Sequence, residues 1–261
     1  MSLLGRNVTG DDTLALWKHI ARCGPIERSV LLQRYYPGDA NDPNQSDSRK
    51  TLEDAIDFLE ESNQVVQKQD GYIIKDKHLE AVSPRVALLK GLRAQTGEDA
   101  AYLGILDTLT EEDERYFDTK NQLEDLLSTK WSSISWTKNK INYWARTMSM
   151  LGVISPVNSD SDENYTHLLS ISQSLLLNLL KDSFAPNTPI KIESMMKKIE
   201  KTYLPVYATT NRNTMAQYFE QALKQAELNN SIELDQASDF GGVVEINGQK
   251  YNELTLRVSD N

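Results

Sequence analysis

Only one cysteine, Cys23, occurs in the sequence, which excludes an internal disulfide. With the scattered histidines His19, His78 and His167 it supplies no CxxC, HExxH or other metal-ligand spacing, so no metal is expected. Cys23 lies between Arg22 and Gly24 with no activating base in view, and reads as a helix-end residue, not a nucleophile. The densest apolar run, LLLNLL at 175–180, falls far short of the roughly 20 residues that cross a bilayer. The opening MSLLGRNVTGDD lacks the charged-then-apolar layout of a secretory signal. A cytoplasmic location without membrane contact is the expectation. No GxxxxGK[ST] phosphate loop or GxSxG elbow is present, and DFGGVVEING lacks the spacing of a dinucleotide site. The acids of DTLTEEDERYFDT have no partner Lys or His pattern, so they read as a solvated inter-helix loop rather than a two-metal nuclease centre. These absences predict a protein that is not an enzyme and takes no cofactor.

What is present is ordinary for ordered protein: 39% hydrophobic and 25% charged residues, with only 12 glycines and 8 prolines in 261 positions. That length suits two or three compact domains. One pattern repeats along the chain: helix, short helix, longer helix, then two β-prone runs around a polar turn. The fold class expected is mainly α with small β-hairpins (α+β), in units at 10–80, 98–183 and 188–258, with a helical linker at 81–97. In the first unit DDTLALWKHIARC is a helix with Leu14, Trp17, His19 and Ile20 near one face and Asp11 or Asp12 as cap. PIERSVLLQRYYP places Pro25 at the start of the next, and SRKTLEDAIDFLEES is the third, capped by Ser48. QVVQKQDGYIIKD reads as strand, Asp-Gly turn, strand. SPRVALLKGLRAQTG has Ser83 as cap and Pro84 at the first helical position. In the third unit NRNTMAQYFEQALKQAEL is a long amphipathic helix, and Asn247-Gly248 is the strongest hairpin signal in the chain.

The net charge of −10 opposes nonspecific attraction to nucleic acid or anionic lipid. The acidity is uneven. Residues 126–159 hold Lys130, Lys138, Lys140 and Arg146 and no acid, whereas 98–125 hold ten acids against Arg115 and Lys120. At about 100° per residue, Ile141, Trp144, Ala145, Met148 and Leu151 form the inward face of a helix. Asn139, Asn142, Tyr143 and Arg146 then face outward, flanked by Lys138 and Lys140. Asn pairs bidentately with adenine and Arg with guanine in the major groove, and lysines suit phosphates. The six residues are the candidate contacts for double-stranded DNA. A solvated or protein-facing surface carries the same residue types. Trp131, Trp136 and Trp144 resemble stacking platforms in number, but Trp144 lies on the apolar face and Trp136 at the helix entrance, so core is the reading.

The other third helices differ. In the first unit the outward face offers Lys50, Glu53, Asp54, Asp57 and Glu61; only Arg49 and Lys50 at its start favour phosphates and the acids would be repelled, so this unit is read as a contact for a protein partner or a second copy of the chain. In the third unit the outward face, Asn213, Gln217, Glu220, Gln221 and Lys224, is near neutral. Lys197, Lys198, Lys201 and Arg212 nearby are a candidate secondary DNA contact, with a solvated surface the favoured alternative.

Through WTKNKINYWARTMSMLGVISP and the hairpins at 65–75 and 243–257, the chain resembles tandem winged-helix (helix-turn-helix) proteins over most of its length. The resemblance implies three tandem winged-helix domains joined by helical or short linkers. In transcription regulators and replication initiators such domains grip duplex DNA. In acidic accessory subunits of condensin-like complexes they mainly hold protein, and both uses occur in mobile-element and antiviral machinery. The expectation is a DNA-binding regulator or DNA-engaging subunit, the alternative an acidic scaffold or accessory subunit that binds protein without touching DNA. The acidic NSDSDE tip at 158–163 sits where wings often meet the DNA backbone, and counts against the former.

Overall fold

The computed structural model describes residues 2–8, 10–35, 46–75, 83–119, 122–157, 166–208, 214–236 and 242–257. It is α+β, mainly helical with small antiparallel sheets. Packing divides the chain into two compact units, Met1–Tyr102 with Glu124–Leu151 and Leu103–Leu123 with Gly152–Asn261. Two of the three breaks fall within helices and the third at a helix end, and they do not coincide with the boundaries read from the sequence.

The first unit opens with a 3-10 turn, Leu3–Gly5. There follow α1 (Gly10–Cys23), α2 (Arg28–Tyr35), α3 (Ser46–Glu61), β1 (Val65–Lys68), β2 (Gly71–Ile74) and α4 (Pro84–Arg93). The start of α5 (Ala101–Glu111), most of α6 (Gln122–Lys130) and all of α7 (Lys138–Leu151) complete it. The second unit holds the rest of α5, then β3 (Tyr116–Asp118), β4 (Ile154–Pro156), β5 (Thr166–Leu169) and α8 (Gln173–Ser183). It continues through β6 (Pro189–Lys191), α9 (Ile192–Thr202), α10 (Gln217–Leu228), β7 (Ile232–Asp235), β8 (Val244–Ile246), β9 (Gln249–Tyr251) and β10 (Glu253–Leu256).

The helices follow their apolar spacing. In α1 the buried row is Thr13, Leu16, Trp17 and Ile20, while Leu14 and His19 are only half-buried, so the face is turned from the one expected. Asp11 and Asp12 lie in the first turn rather than at the cap, and still complement the positive helix end. Ser48 lies inside α3, not at its start. Ser83 and Pro84 do occupy the N-cap and first positions of α4, although the Ser83 hydroxyl makes no cap hydrogen bond. Ser172 caps α8 by accepting from the Leu175 N–H at 3.3 Å.

One order recurs three times: helix, strand, helix, helix, strand, strand. It runs α1, Ile26, α2, α3, β1, β2, then α5, β3, α6, α7, β4, β5, then α8, β6, α9, α10, β7, β10. In each case the last strand pairs antiparallel with both the first and the second. The leading strand of each set was not expected. Ile26 exchanges both backbone hydrogen bonds with Tyr72, at 3.1 and 2.7 Å. This ladder takes up the residues read as a helix start at Pro25, and α2 begins only at Arg28. β3 lies within the acidic stretch read as a loop and pairs with β5. β6 follows Pro186 and pairs with β10.

Two turns show what their residues are for. Lys68 pairs with Gly71, so the first hairpin turns on Gln69 and Asp70 and the glycine belongs to the strand. A Cβ on Gly71 would fall 2.3 Å from the Ile26 carbonyl carbon at φ +120, so only glycine admits the third strand here. In the β8–β9 hairpin, Asn247 and Gly248 both have positive φ, 52° and 76°, as a two-residue type I′ turn requires. That hairpin is inserted between β7 and β10.

Candidate nucleic-acid interface

α7 has a defined start and stop. Thr137 caps it, its hydroxyl accepting from the Lys140 N–H at 3.3 Å and its carbonyl from the Ile141 N–H at 3.1 Å. Gly152, at φ +81, ends it in the left-handed position that follows many helices. The inward face is as expected: Ile141, Trp144, Ala145, Met148 and Leu151 are buried, and Thr147 joins them. Trp144 is 0% exposed, and its Nε1–H donates to the Tyr102 carbonyl at 2.8 Å. Burial pushes the Tyr102 hydroxyl, beside it in the core, above its ordinary pKa. Trp136 is also buried, donating to the Trp131 carbonyl at 3.2 Å. These indoles are core, not open stacking surfaces.

The outward face is more restricted than the helical wheel suggests. Lys138, Asn139 and Arg146 are exposed, while Asn142 and Tyr143 are half-buried. Lys140 turns back, and its ammonium donates to the Ser135 carbonyl at 2.7 Å. Farther along, Met150 lies against α1: a Cβ on Gly10 would come within 2.4 Å of its Cγ. The Leu3–Gly5 turn and α1 both pack on α7. The open part of the face therefore runs from Lys138 to Arg146. There the positive end of the helix dipole and the exposed ammonium of Lys138 act in the same direction. Cations at this end cost a helix about 0.3–1 kcal/mol, and the same arrangement attracts an anion.

Segment 2–8 is firmly held. Leu3, Leu4 and Val8 are buried, at about 1.5–3 kcal/mol for each side chain. The Leu3 N–H and the Ser2 hydroxyl donate to Asp99 Oδ1 at 2.8 and 2.9 Å. Arg6 reaches the acids of α3. Its Nη2 and Nε meet the two Glu61 oxygens at 2.5 and 3.2 Å, and its Nη1 meets Asp57 at 2.8 Å and Asp54 at 3.3 Å. The Glu61 carboxylate, more than any other group, raises the Arg6 guanidinium pKa above its ordinary value. Arg28 takes the other Asp57 oxygen at 2.7 Å. Asp54 is 9% exposed and also accepts from the Asn7 N–H. Asp54, Asp57 and Glu61 thus bind the chain's own arginines, a correction to their expected outward role. Glu53 pairs instead with Arg49 at 3.1 Å along the helix and, like Asp57 and Glu61, is half-buried.

In the second unit Lys197 pairs with Glu193 at 2.5 Å, and the Lys198 ammonium donates to the Ser183 carbonyl while lying 4.8 Å from the Phe184 ring. Lys201 is exposed, and Arg212 and Asn213 fall outside the described residues. Asp182 accepts from the Tyr203 hydroxyl, whose pKa is pushed up to about 12, first by burial and then by that carboxylate. On α10, Gln217, Gln221 and Gln225 are exposed at helical spacing. They line a groove of about 400 Å³ with Lys224, Leu228 and Asn247. The Asn247 N–H donates to Glu220 across this groove, and Gln221 also accepts from Arg115 at 2.5 Å. The acidic tip at 158–163 also falls outside the described residues.

Among the described residues no group of three or more His, Cys, Asp or Glu is placed to hold a metal. No described helix is long and apolar enough to cross a membrane. Against known protein families, curated proteins and solved structures, the chain has no match. The sequence reading missed Thr137, Arg6 and Asn7. Thr137 was legible as a cap one residue before a periodic run. Arg6 and Asn7 gave no local signal, because their partners lie some fifty and more positions away.

Proposed function

We propose that the chain is a non-enzymatic duplex-DNA-binding protein built from winged-helix units, with the part of α7 from Lys138 to Arg146 as its DNA-facing element. The fold part of this reading is supported by the order helix, strand, helix, helix, strand, strand, with the last strand central in each sheet. The observation that carries the functional part is the acid-free stretch 126–157. Its helix presents Lys138, Asn139 and Arg146 outward over a fully buried Trp144. Each carboxylate there would be driven against backbone phosphates, and a chain with 38 acids keeps them all out. Lys138 and the helix end meet phosphates, and Asn139 and Arg146 meet base edges.

Hydrogen exchange with and without duplex DNA tests this. Slowed exchange confined to residues 138–146 is expected. Slowing elsewhere, with those residues unchanged, overturns the assignment. A second reading has its own support: α1 and the Leu3–Gly5 turn cover the far end of α7, and the net charge is −10. On that reading the chain is an acidic accessory subunit whose outward faces hold protein.

A further inference from the structure

Arg146 is exposed, yet its guanidinium is not left to wander. Its Nη1–H donates to the Asn7 side-chain oxygen at 3.4 Å. Asn7 belongs to the segment that Arg6, Leu3, Leu4 and Val8 hold in place, and its own N–H is bound by Asp54 at 3.4 Å. Such a segment is a fixture rather than a lid. We infer that Asn7 is a positioning residue, holding Arg146 by the Nη1 edge so that the Nε and Nη2 pair is presented to a base. This rests on the reading of α7 as the DNA-facing element, and adds a residue from outside that helix to it. A guanidinium has a fork of five N–H donors, and two suffice for the O6 and N7 of guanine. With one edge already occupied, the fork loses less rotational freedom on binding, and one orientation is favoured over the rest. The function implied is selectivity for guanine, not general affinity.

The test uses the full chain and a duplex pool with a randomised centre, and sequences the retained DNA. The parent enriches guanine at one position. Asn7→Ala lowers that enrichment about tenfold, within the usual range for a bidentate contact, and leaves the salt dependence of binding unchanged. Adding Asn7→Ala to Arg146→Ala changes nothing further, because the two act through one contact. Without DNA, the Arg146 Nε–H resonance reports an ordered side chain in the parent and a freely rotating one in Asn7→Ala. If Asn7→Ala keeps the full enrichment while Arg146→Ala loses it, the positioning role is wrong and the α7 reading stands. If the parent retains no duplex even at low salt, both are wrong.

Discussion

α3 and α7 belong to the same compact unit; opposite its apolar stripe α3 is mainly acidic, with Arg49 and Lys50 at its start, and α7 is basic. The structure treats them in opposite ways. The acids of α3 are consumed within the chain: Asp54, Asp57 and Glu61 clamp Arg6, and Asp57 also holds Arg28. On α7, Lys138 and Arg146 stay at the surface, and no acid lies in 126–157 to answer them. A helical wheel shows which residues leave the core. It does not show whether a counter-ion arrives from elsewhere. For α3 one arrives from segment 2–8, and the charged face becomes part of the scaffold. For α7 the same segment brings a neutral amide, Asn7, and the face keeps its charge.

The contrast breaks most readily at its structural pole. Trp144→Ala removes a fully buried indole and its hydrogen bond to the Tyr102 carbonyl, and should cost about 3–5 kcal/mol in urea unfolding. Arg6→Ala should come next, at about 3–4 kcal/mol, because it removes the cation shared by three crowded carboxylates, of which Asp57 keeps Arg28. By contrast Lys138→Ala, at an exposed position, should change stability by less than about 0.5 kcal/mol. Equal losses for Arg6→Ala and Lys138→Ala would erase the distinction between clamp and surface. Gly71→Ala should destabilise by about 2 kcal/mol or more, since its Cβ has no room beside the Ile26 backbone. Lys197→Ala, which breaks an exposed pair with Glu193, should, like Lys138→Ala, leave stability nearly unchanged.

Much of this was readable in the sequence, and the limits have physical causes. The inward row of α7, the Asn247-Gly248 turn and the helices α4 and α8 depend on residues close together in the chain, and local spacing shows them. Ile26, β3 and β6 were missed because each is a strand of only one to three residues. Runs so short have no period of their own, and they become strands only when the last strand of the set arrives to pair with them. Of the candidate site, the outward order of Lys138, Asn139 and Arg146 was legible. The turning back of Lys140 to Ser135 was not, because a long flexible ammonium takes whichever carbonyl is near. Nor was the closure of the far end of α7 by α1, a contact between segments more than a hundred residues apart.

The most direct test of the central claim is a titration of labelled duplex DNA at several salt concentrations, comparing the parent with a variant carrying Lys138→Glu and Arg146→Glu. The parent should bind with an affinity that falls as salt rises, and the variant should bind at least tenfold more weakly at low salt with a slope shallower by about one, the share of Lys138. Equal affinity and equal slope in the two proteins would contradict the account.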